Sequence, residues 1–217
     1  MAIKVLFSKL PFDVSEYRID SLEKSVGAQW RIGLQRGSDL KQYGQSLLGR
    51  NLIERLVNEH CSSCTDLFIN DWGKPMLTTA EYFSIAHSEN IVVAAFSKTC
   101  PVGIDVECVR SIEVNDYTDY FTAGEMASFA GFAGQYNFYS SWTAKEAIAK
   151  AIGEGMNIDF RQMAPIENGL YEYRAEKWKT DSVKIGADIV CKLAVQYACQ
   201  DQEFEVNFIN WTSLLVK

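Results

Sequence analysis

The sequence predicts an α+β protein whose strands and helices come in two successive mixed groups. Three observations lead to this. Short strand-like runs and helices share residues 2–108, three helical segments follow without a strand between them, and the last fifty residues return to β character. That order is not the strict strand–helix alternation of a parallel sheet, and it favours α+β. A chain of 217 residues has room for two halves of about 110 each. Thr99-Cys100-Pro101 is the expected boundary, with one half over 1–101 and the other over 102–217.

The elements follow from periodicity. Residues 2–8 read as a strand and 15–26 as a helix. Residues 37–58 read as a longer helix, with Leu40, Tyr43, Leu47, Leu48, Leu52, Leu56 and Val57 at helical spacing. Short strands over 65–70 and 75–78 flank the turn-forming Trp72-Gly73-Lys74-Pro75. Glu81 to Ala86 and Ile91 to Ser97 are strands joined by His87-Ser88-Glu89-Asn90, and 102–108 is another strand. Helices are expected near 114–119, 122–131 and 136–152. Apolar alternation from Ile185 to Tyr197, and again over Phe204, Val206 and Phe208, marks two late strands.

Composition narrows the class. With 47% apolar, 12% aromatic and 23% charged residues, the chain can bury an ordinary soluble core. No apolar run approaches the ~20 residues of a membrane span, and the N-terminal Met-Ala-Ile-Lys-Val-Leu-Phe reads as a strand, not a leader. Cytoplasm is the expected compartment, with no membrane partner. The net charge of −7 speaks against a nucleic-acid binder. Residues 1–60 nevertheless carry +2, and Arg31, Arg36, Lys41, Arg50 and Arg55 form either a patch for a phosphorylated small molecule or a solvated helix face.

Six cysteines fit a reducing compartment. Cys100, Cys108, Cys191 and Cys199 stand alone in apolar or strand-like sequence and are expected to be small buried residues. His60-Cys61-Ser62-Ser63-Cys64 lacks the second Cys/His pair that a zinc site needs.

The chemistry concentrates in two stretches. In Ser141–Gly155, Ala144, Ala147, Ile148, Ala151 and Ile152 form an apolar helical stripe. Ser140 or Ser141 can cap its start and Gly153 its end. Lys145, Glu146 and Lys150 lie on the polar side, with Glu146 and Lys150 as i,i+4 neighbours. Alone, that pair is an ordinary surface salt bridge. In Val102-Gly103-Ile104-Asp105-Val106-Glu107, Asp105 and Glu107 face the same way from a strand while Ile104 and Val106 face a core. Two like charges on one face call for a cation between them, and Mg²⁺ takes one or two carboxylates together with phosphate oxygens. Gly103 in the strand suggests close approach of a ligand to the backbone. Lys74 and His87-Ser88, at turns of the same sheet, can donate to a phosphate.

Taken together, five stretches resemble the 4′-phosphopantetheinyl transferases. They are Gly73-Lys74-Pro75, Phe83-Ser84-Ile85-Ala86-His87-Ser88, Pro101 to Glu107, Phe121-Thr122-Ala123-Gly124-Glu125 and Trp142 to Lys150. The resemblance spans residues 30–156 and is to the double-length, surfactin-synthetase-activating type, not the short trimeric type. It implies two similar α+β halves related by a pseudo-twofold, with coenzyme A in the cleft between them, and a monomer. It further implies that Asp105, Glu107 and Glu146 hold Mg²⁺ against the pyrophosphate of coenzyme A while Lys150 neutralises the same phosphates. Lys74, His87, Ser88 and Arg31 would hold the 3′-phosphate of the adenosine. A serine hydroxyl of an apo acyl or peptidyl carrier protein would attack the β-phosphorus, with Glu146 as base, releasing adenosine 3′,5′-bisphosphate.

Two positions depart from the family pattern. Ala86 stands where a serine is common, and Gln45 stands where an arginine is common before Leu47-Leu48-Gly49. Both remove a contact from the 3′-phosphate side, where Arg50 is a candidate replacement. The residues alone leave two other readings open: a different Mg²⁺-dependent nucleotide-phosphate enzyme, or a non-catalytic module that binds coenzyme A or a carrier protein. For the carrier, residues 110–135 with Phe121, Met126, Phe129 and Phe132 offer an apolar surface.

Overall fold

The computed structural model describes residues 2–61, 66–167 and 169–215. In chain order the elements are β1 (Ile3–Lys9), α1 (Glu16–Ser25), α2 (Leu40–His60), β2 (Leu67–Ile69), β3 (Pro75–Leu77), β4 (Tyr82–Ser88), β5 (Ile91–Ser97), β6 (Val102–Cys108), α3 (Ala123–Ser128), α4 (Gly134–Ile152), β7 (Ala164–Glu167), β8 (Leu170–Tyr173), β9 (Glu176–Ser182), β10 (Ile189–Gln196) and β11 (Phe204–Phe208). The protein is α+β, as its sequence order indicates. Two compact units emerge, Met1–Cys100 with Gln202–Lys217, and Pro101–Asp201.

The first unit carries a four-stranded sheet in the order β11-β1-β5-β4. Every residue of β5, Ile-Val-Val-Ala-Ala-Phe-Ser, is buried, as a continuous apolar run at the centre of a sheet should be. β11 joins β1 in parallel, Ile3 opposite Phe204 and Phe7 opposite Phe208, which brings the C-terminal segment into this unit. The core beneath the sheet is the apolar stripe of α2, Leu47, Leu48, Leu52, Ile53, Leu56 and Val57, packed with Ile19 and Leu22 of α1 and with Trp30. Asp39 caps α2 by accepting from the Gln42 N–H. A Cβ on Gly49 would lie 2.5 Å from Ile85 Cγ2, so glycine lets α2 approach β4 closely.

β4 and β5 form a tighter hairpin than the sequence suggested. His87 and Ser88 extend β4 and pair with Val92 and Ile91, and only Glu89-Asn90 turns, with Glu89 at a positive φ of 52°. In β2–β3, the Asn70 side chain accepts from the N–H groups of Trp72 and Lys74, which fixes the loop that carries Lys74. Of the 65–70 segment, residue 65 lies outside the described residues, as do Ser62, Ser63 and Cys64.

The second unit is a five-stranded antiparallel sheet in the order β6-β10-β9-β8-β7. The sequence distinguished only two late strands; the observed ones there are β7 to β11, and β10 is shorter than the apolar alternation implied. Helix α4 lies on β6 and buries Ala144, Ala147, Ile148 and Ala151 with Tyr171, Tyr173, Trp178 and Ala194. Its start is Gly134, earlier than the residue-136 start expected, so Ser140 and Ser141 lie inside the helix and do not cap it. Gly153 ends it in the left-handed region, φ 83°. Cys100 and Cys191 are buried as expected, whereas Cys108 and Cys199 are only half-buried. Among the described residues no helix is long and apolar enough to cross a membrane.

Candidate active site

Gly103 explains how the carboxylates of β6 meet α4. A Cβ there would sit 1.8 Å from the Ala147 carbonyl oxygen and 2.6 Å from the Ala151 nitrogen. The strand therefore touches the helix backbone, and the close approach read from Gly103 is that of α4, not of a ligand. Alternation then turns Asp105 and Glu107 toward the same helix, while Ile104 and Val106 are buried on the other side.

Lys150, in the last turn of α4, donates its Nζ to Asp105 Oδ1 at 2.6 Å. Asp105 is 5% exposed, and among the described residues its second oxygen, Oδ2, is buried without a hydrogen-bond partner. Burial raises the Asp105 carboxyl above the ordinary range, and Lys150 opposes that. Lys150 itself keeps about a third of its side chain exposed, at 32%. Burial works to lower its ammonium, but the attraction of Asp105, with Glu146 and Glu107, outweighs this and raises it.

Glu146 stands one turn before Lys150. Burial first, then repulsion from Asp105 and Glu107, pushes its carboxyl up to about 7, against the pull of Lys150. A carboxylate poised near neutrality suits general-base work. The four side chains Asp105, Glu107, Glu146 and Lys150 thus form one electrostatic cluster on β6 and α4. Among the described residues no three His, Cys, Asp or Glu groups stand together as a finished metal site. The unpartnered Oδ2 and the all-carboxylate donor set nevertheless suit a hard cation.

Lys145 was expected on the polar face with Glu146. It is instead fully buried, 2.9 Å from both oxygens of the Glu125 carboxylate. It also donates to the carbonyls of Tyr120 and Phe160. Glu125 accepts from the Thr122 N–H and hydroxyl as well, closing the capping box of α3. Burial lowers the Lys145 ammonium, with Glu125 acting against it. Sequence spacing puts Lys145 and Glu146 next to each other, but 100° apart on a helix they face different surroundings.

The remaining expected site residues lie in the first unit. Lys74 sits in the β2–β3 loop, where burial alone lowers its ammonium to about 8. His87 is exposed at the end of β4 and Ser88 half-buried beside it. Arg31 pairs with Glu23 at 3.1 Å, and its Nε is buried without a partner.

The basic patch read from the sequence is largely neutralised. Arg36 pairs with Asp20 and Glu23, Lys41 with Glu89, and Arg55 with Glu59. Arg50 differs: it is 5% exposed, its Nη1 has no partner, and its Nη2 reaches only the Ile32 carbonyl at 3.5 Å. Burial lowers it to about 10. Gln45 donates to the Glu89 carbonyl, so it supports the turn that follows Ser88. In the region expected to be an apolar surface, Phe121 and Phe129 are core residues, whereas Phe132 is fully exposed.

Comparison with known proteins gives the chain a family. Residues 101–197, which carry β6, α3 and α4, match the model of the 4′-phosphopantetheinyl transferase superfamily. The 4′-phosphopantetheinyl transferase gsp of Aneurinibacillus migulanus is 31% identical over 72% of this chain and 68% of its own length. The chain belongs to the 4′-phosphopantetheinyl transferase superfamily. The enzyme ffp of Bacillus subtilis, of the same name, is 26% identical over 67% of this chain and 68% of its own. The relative psf-1 of Bacillus pumilus is 27% identical over 64% of this chain and 63% of its own. As a phosphopantetheinyl transferase, the chain is an enzyme, and its α+β architecture agrees with that family.

Proposed function

We propose that this transferase moves 4′-phosphopantetheine from coenzyme A to a serine of an apo acyl or peptidyl carrier protein, in a Mg²⁺-dependent reaction that releases adenosine 3′,5′-bisphosphate. The single observation that carries the reading is the Asp105–Glu107–Glu146–Lys150 cluster, with its unpartnered Asp105 Oδ2. Phosphoryl transfer asks the protein mainly for positioning and charge neutralisation, and three carboxylates able to hold a divalent cation, with one lysine, would supply both.

Asp105, Glu107 and Glu146 would hold the Mg²⁺, which when bound offsets the charge of the pyrophosphate. Lys150, still a third exposed while paired with Asp105, can turn part of its donor capacity to a phosphate oxygen. Glu146 takes the proton of the acceptor serine, directly or through a water. The serine oxygen then bonds to the β-phosphorus of coenzyme A as the bond from that phosphorus to the bridging oxygen breaks.

Lys74, His87 and Ser88 would recognise the adenosine 3′-phosphate. Arg31 is a weaker contributor, because Glu23 already neutralises it. Arg50, buried with no carboxylate partner among the described residues, supplies cationic field on that unit, where Gln45 replaces an arginine.

The test is direct. Purified protein, coenzyme A, Mg²⁺ and an apo carrier protein should yield adenosine 3′,5′-bisphosphate, and a chelator should stop it. Release of inorganic phosphate without any carrier would instead point to a nucleotide-phosphate hydrolase. A coenzyme A thermal shift with no turnover would point to a binding module.

A further inference from the structure

The turn between β4 and β5 is held by three groups that lie outside it. Gln45, on α2 and 5% exposed, donates its Nε2 to the Glu89 carbonyl at 2.6 Å. Lys41, one helical turn earlier, lies 3.5 Å from the Glu89 carboxylate. The Leu10 N–H donates to the Asn90 carbonyl at 2.8 Å.

The local sequence explains why tethers are needed. Ser88 pairs with Ile91, so Glu89 and Asn90 alone close the hairpin, and Glu89 carries a φ of 52°. Glycine or asparagine suits a positive φ in a two-residue hairpin turn, and a glutamate there is strained unless its surroundings hold it. The Lys41–Glu89 pair is exposed on both sides, at 38% and 43%, and contributes little. The bond from the buried Gln45 amide is the stronger tether, because its loss would leave a sheltered donor or acceptor unmet.

Helix α2 meets β4 at a second point, one turn further along. There a Cβ on Gly49 would lie 2.5 Å from Ile85 Cγ2. Side chains alternate along a strand, so His87 shares the face of Ile85, which packs against the core that α2 builds. His87 stands midway between Ile85 and Glu89. Its height along the helix is therefore set by the Gly49 contact on one side and the Gln45 hydrogen bond on the other.

We propose that Gln45 is a positioning residue: by anchoring the Glu89 carbonyl to α2, it fixes where His87 presents its imidazole to the 3′-phosphate of coenzyme A. This rests on the transfer reading above, which assigns that phosphate to Lys74, His87 and Ser88. In sequence, Gln45 only removed a phosphate contact. In the fold it donates to main chain, and its effect reaches the ligand through the end of β4.

The experiment compares wild type, Gln45→Met and the double variant Gln45→Met, Glu89→Gly. Gln45→Met keeps the length of the buried side chain and removes the donor. Calorimetric Kd values for coenzyme A and for 3′-dephospho-coenzyme A are measured beside kcat for transfer and amide hydrogen exchange over residues 87–91. Loss of one such hydrogen bond corresponds to about fivefold in binding. The expected result for Gln45→Met is a Kd for coenzyme A weakened about fivefold, an unchanged Kd for 3′-dephospho-coenzyme A, an unchanged kcat and faster exchange in the turn. Adding Glu89→Gly, which accepts the positive φ without strain, should recover most of the lost affinity. Equal weakening toward both ligands, or a lowered kcat, would reduce Gln45 to general support of the fold and overturn the proposal. An unchanged Kd for coenzyme A, or a double variant no better than Gln45→Met, would overturn it as well. Should the wild-type protein transfer nothing and bind no coenzyme A, the transfer reading fails; turn exchange unaltered by Gln45→Met would refute the anchoring independently of it.

Discussion

Lys150 Nζ reaches Asp105 Oδ1 across 2.6 Å, joining the end of α4 to the middle of β6 over a sequence separation of 45 residues. The contact leaves Asp105 Oδ2 buried and unpartnered. The pair belongs to the proposed site, so its variants should separate activity from stability. Asp105→Asn removes a buried charge and leaves Lys150, a third exposed, able to reach water. Its unfolding free energy should fall by no more than about 3–5 kcal/mol, the cost of breaking a buried pair, while transfer falls to background. Chemical denaturation beside a transfer assay checks both halves of that statement.

Glu146 should leave a signature on the metal-free protein. Its folded carboxyl, pushed up to about 7 from an ordinary value of 4.5, binds a proton that the unfolded chain has already released. Between those values the folded state holds more protons, so stability falls as pH rises. Above about 7 the full penalty is present, on the order of 2 kcal/mol after allowance for solvent screening. Glu146→Gln should flatten this slope and make the protein more stable than wild type at mildly alkaline pH, though inactive. Unfolding curves across that range test it, and a slope unchanged by the substitution would contradict it.

On the proposed reading, Lys74 should make coenzyme A binding depend on pH on the alkaline side. Burial lowers its ammonium to about 8, so the cation is present below that pH and lost above it. An anionic ligand favours the charged form. Affinity should weaken above about 8, by up to about tenfold per pH unit. Lys74→Met should bind more weakly throughout and lose that limb. Calorimetric titration with coenzyme A over the range reads this directly.

Gly103→Ala probes the contact that aims the carboxylates. The added methyl would meet the Ala147 carbonyl oxygen at 1.8 Å, and neither backbone can yield cheaply. The expected cost is about 2–3 kcal/mol or more, seen as a lower unfolding temperature, and transfer should fall because β6 and α4 move apart.

Local pattern made the Asp105–Glu107–Glu146–Lys150 cluster legible in the sequence, and tertiary contact decided the rest. Asp105 and Glu107 share a face because strands alternate, and Glu146 and Lys150 share one because helices repeat every 3.6 residues. Both facts are local. The parallel pairing of β11 with β1 joins Lys4 to Glu205 across 201 residues, which periodicity cannot reveal. The strands β7 and β8 are short, and β7 is exposed throughout, so no apolar alternation announced it. Lys145 misled for a related reason: a lysine beside Glu146 on a helix looks solvated until its partners, Glu125 and two carbonyls, are folded around it. Gly103 gave the right signal, close backbone approach, but the sequence could not say that a helix and not a ligand makes it.

The most direct test of the account is the intact mass of an apo carrier protein after incubation with coenzyme A, Mg²⁺ and either wild-type protein or Glu146→Gln. The account predicts that the wild-type reaction adds one phosphopantetheine group to a single serine, and that the variant, folded and able to bind coenzyme A, adds none. An unmodified carrier in the wild-type reaction, or full modification by Glu146→Gln, would contradict it.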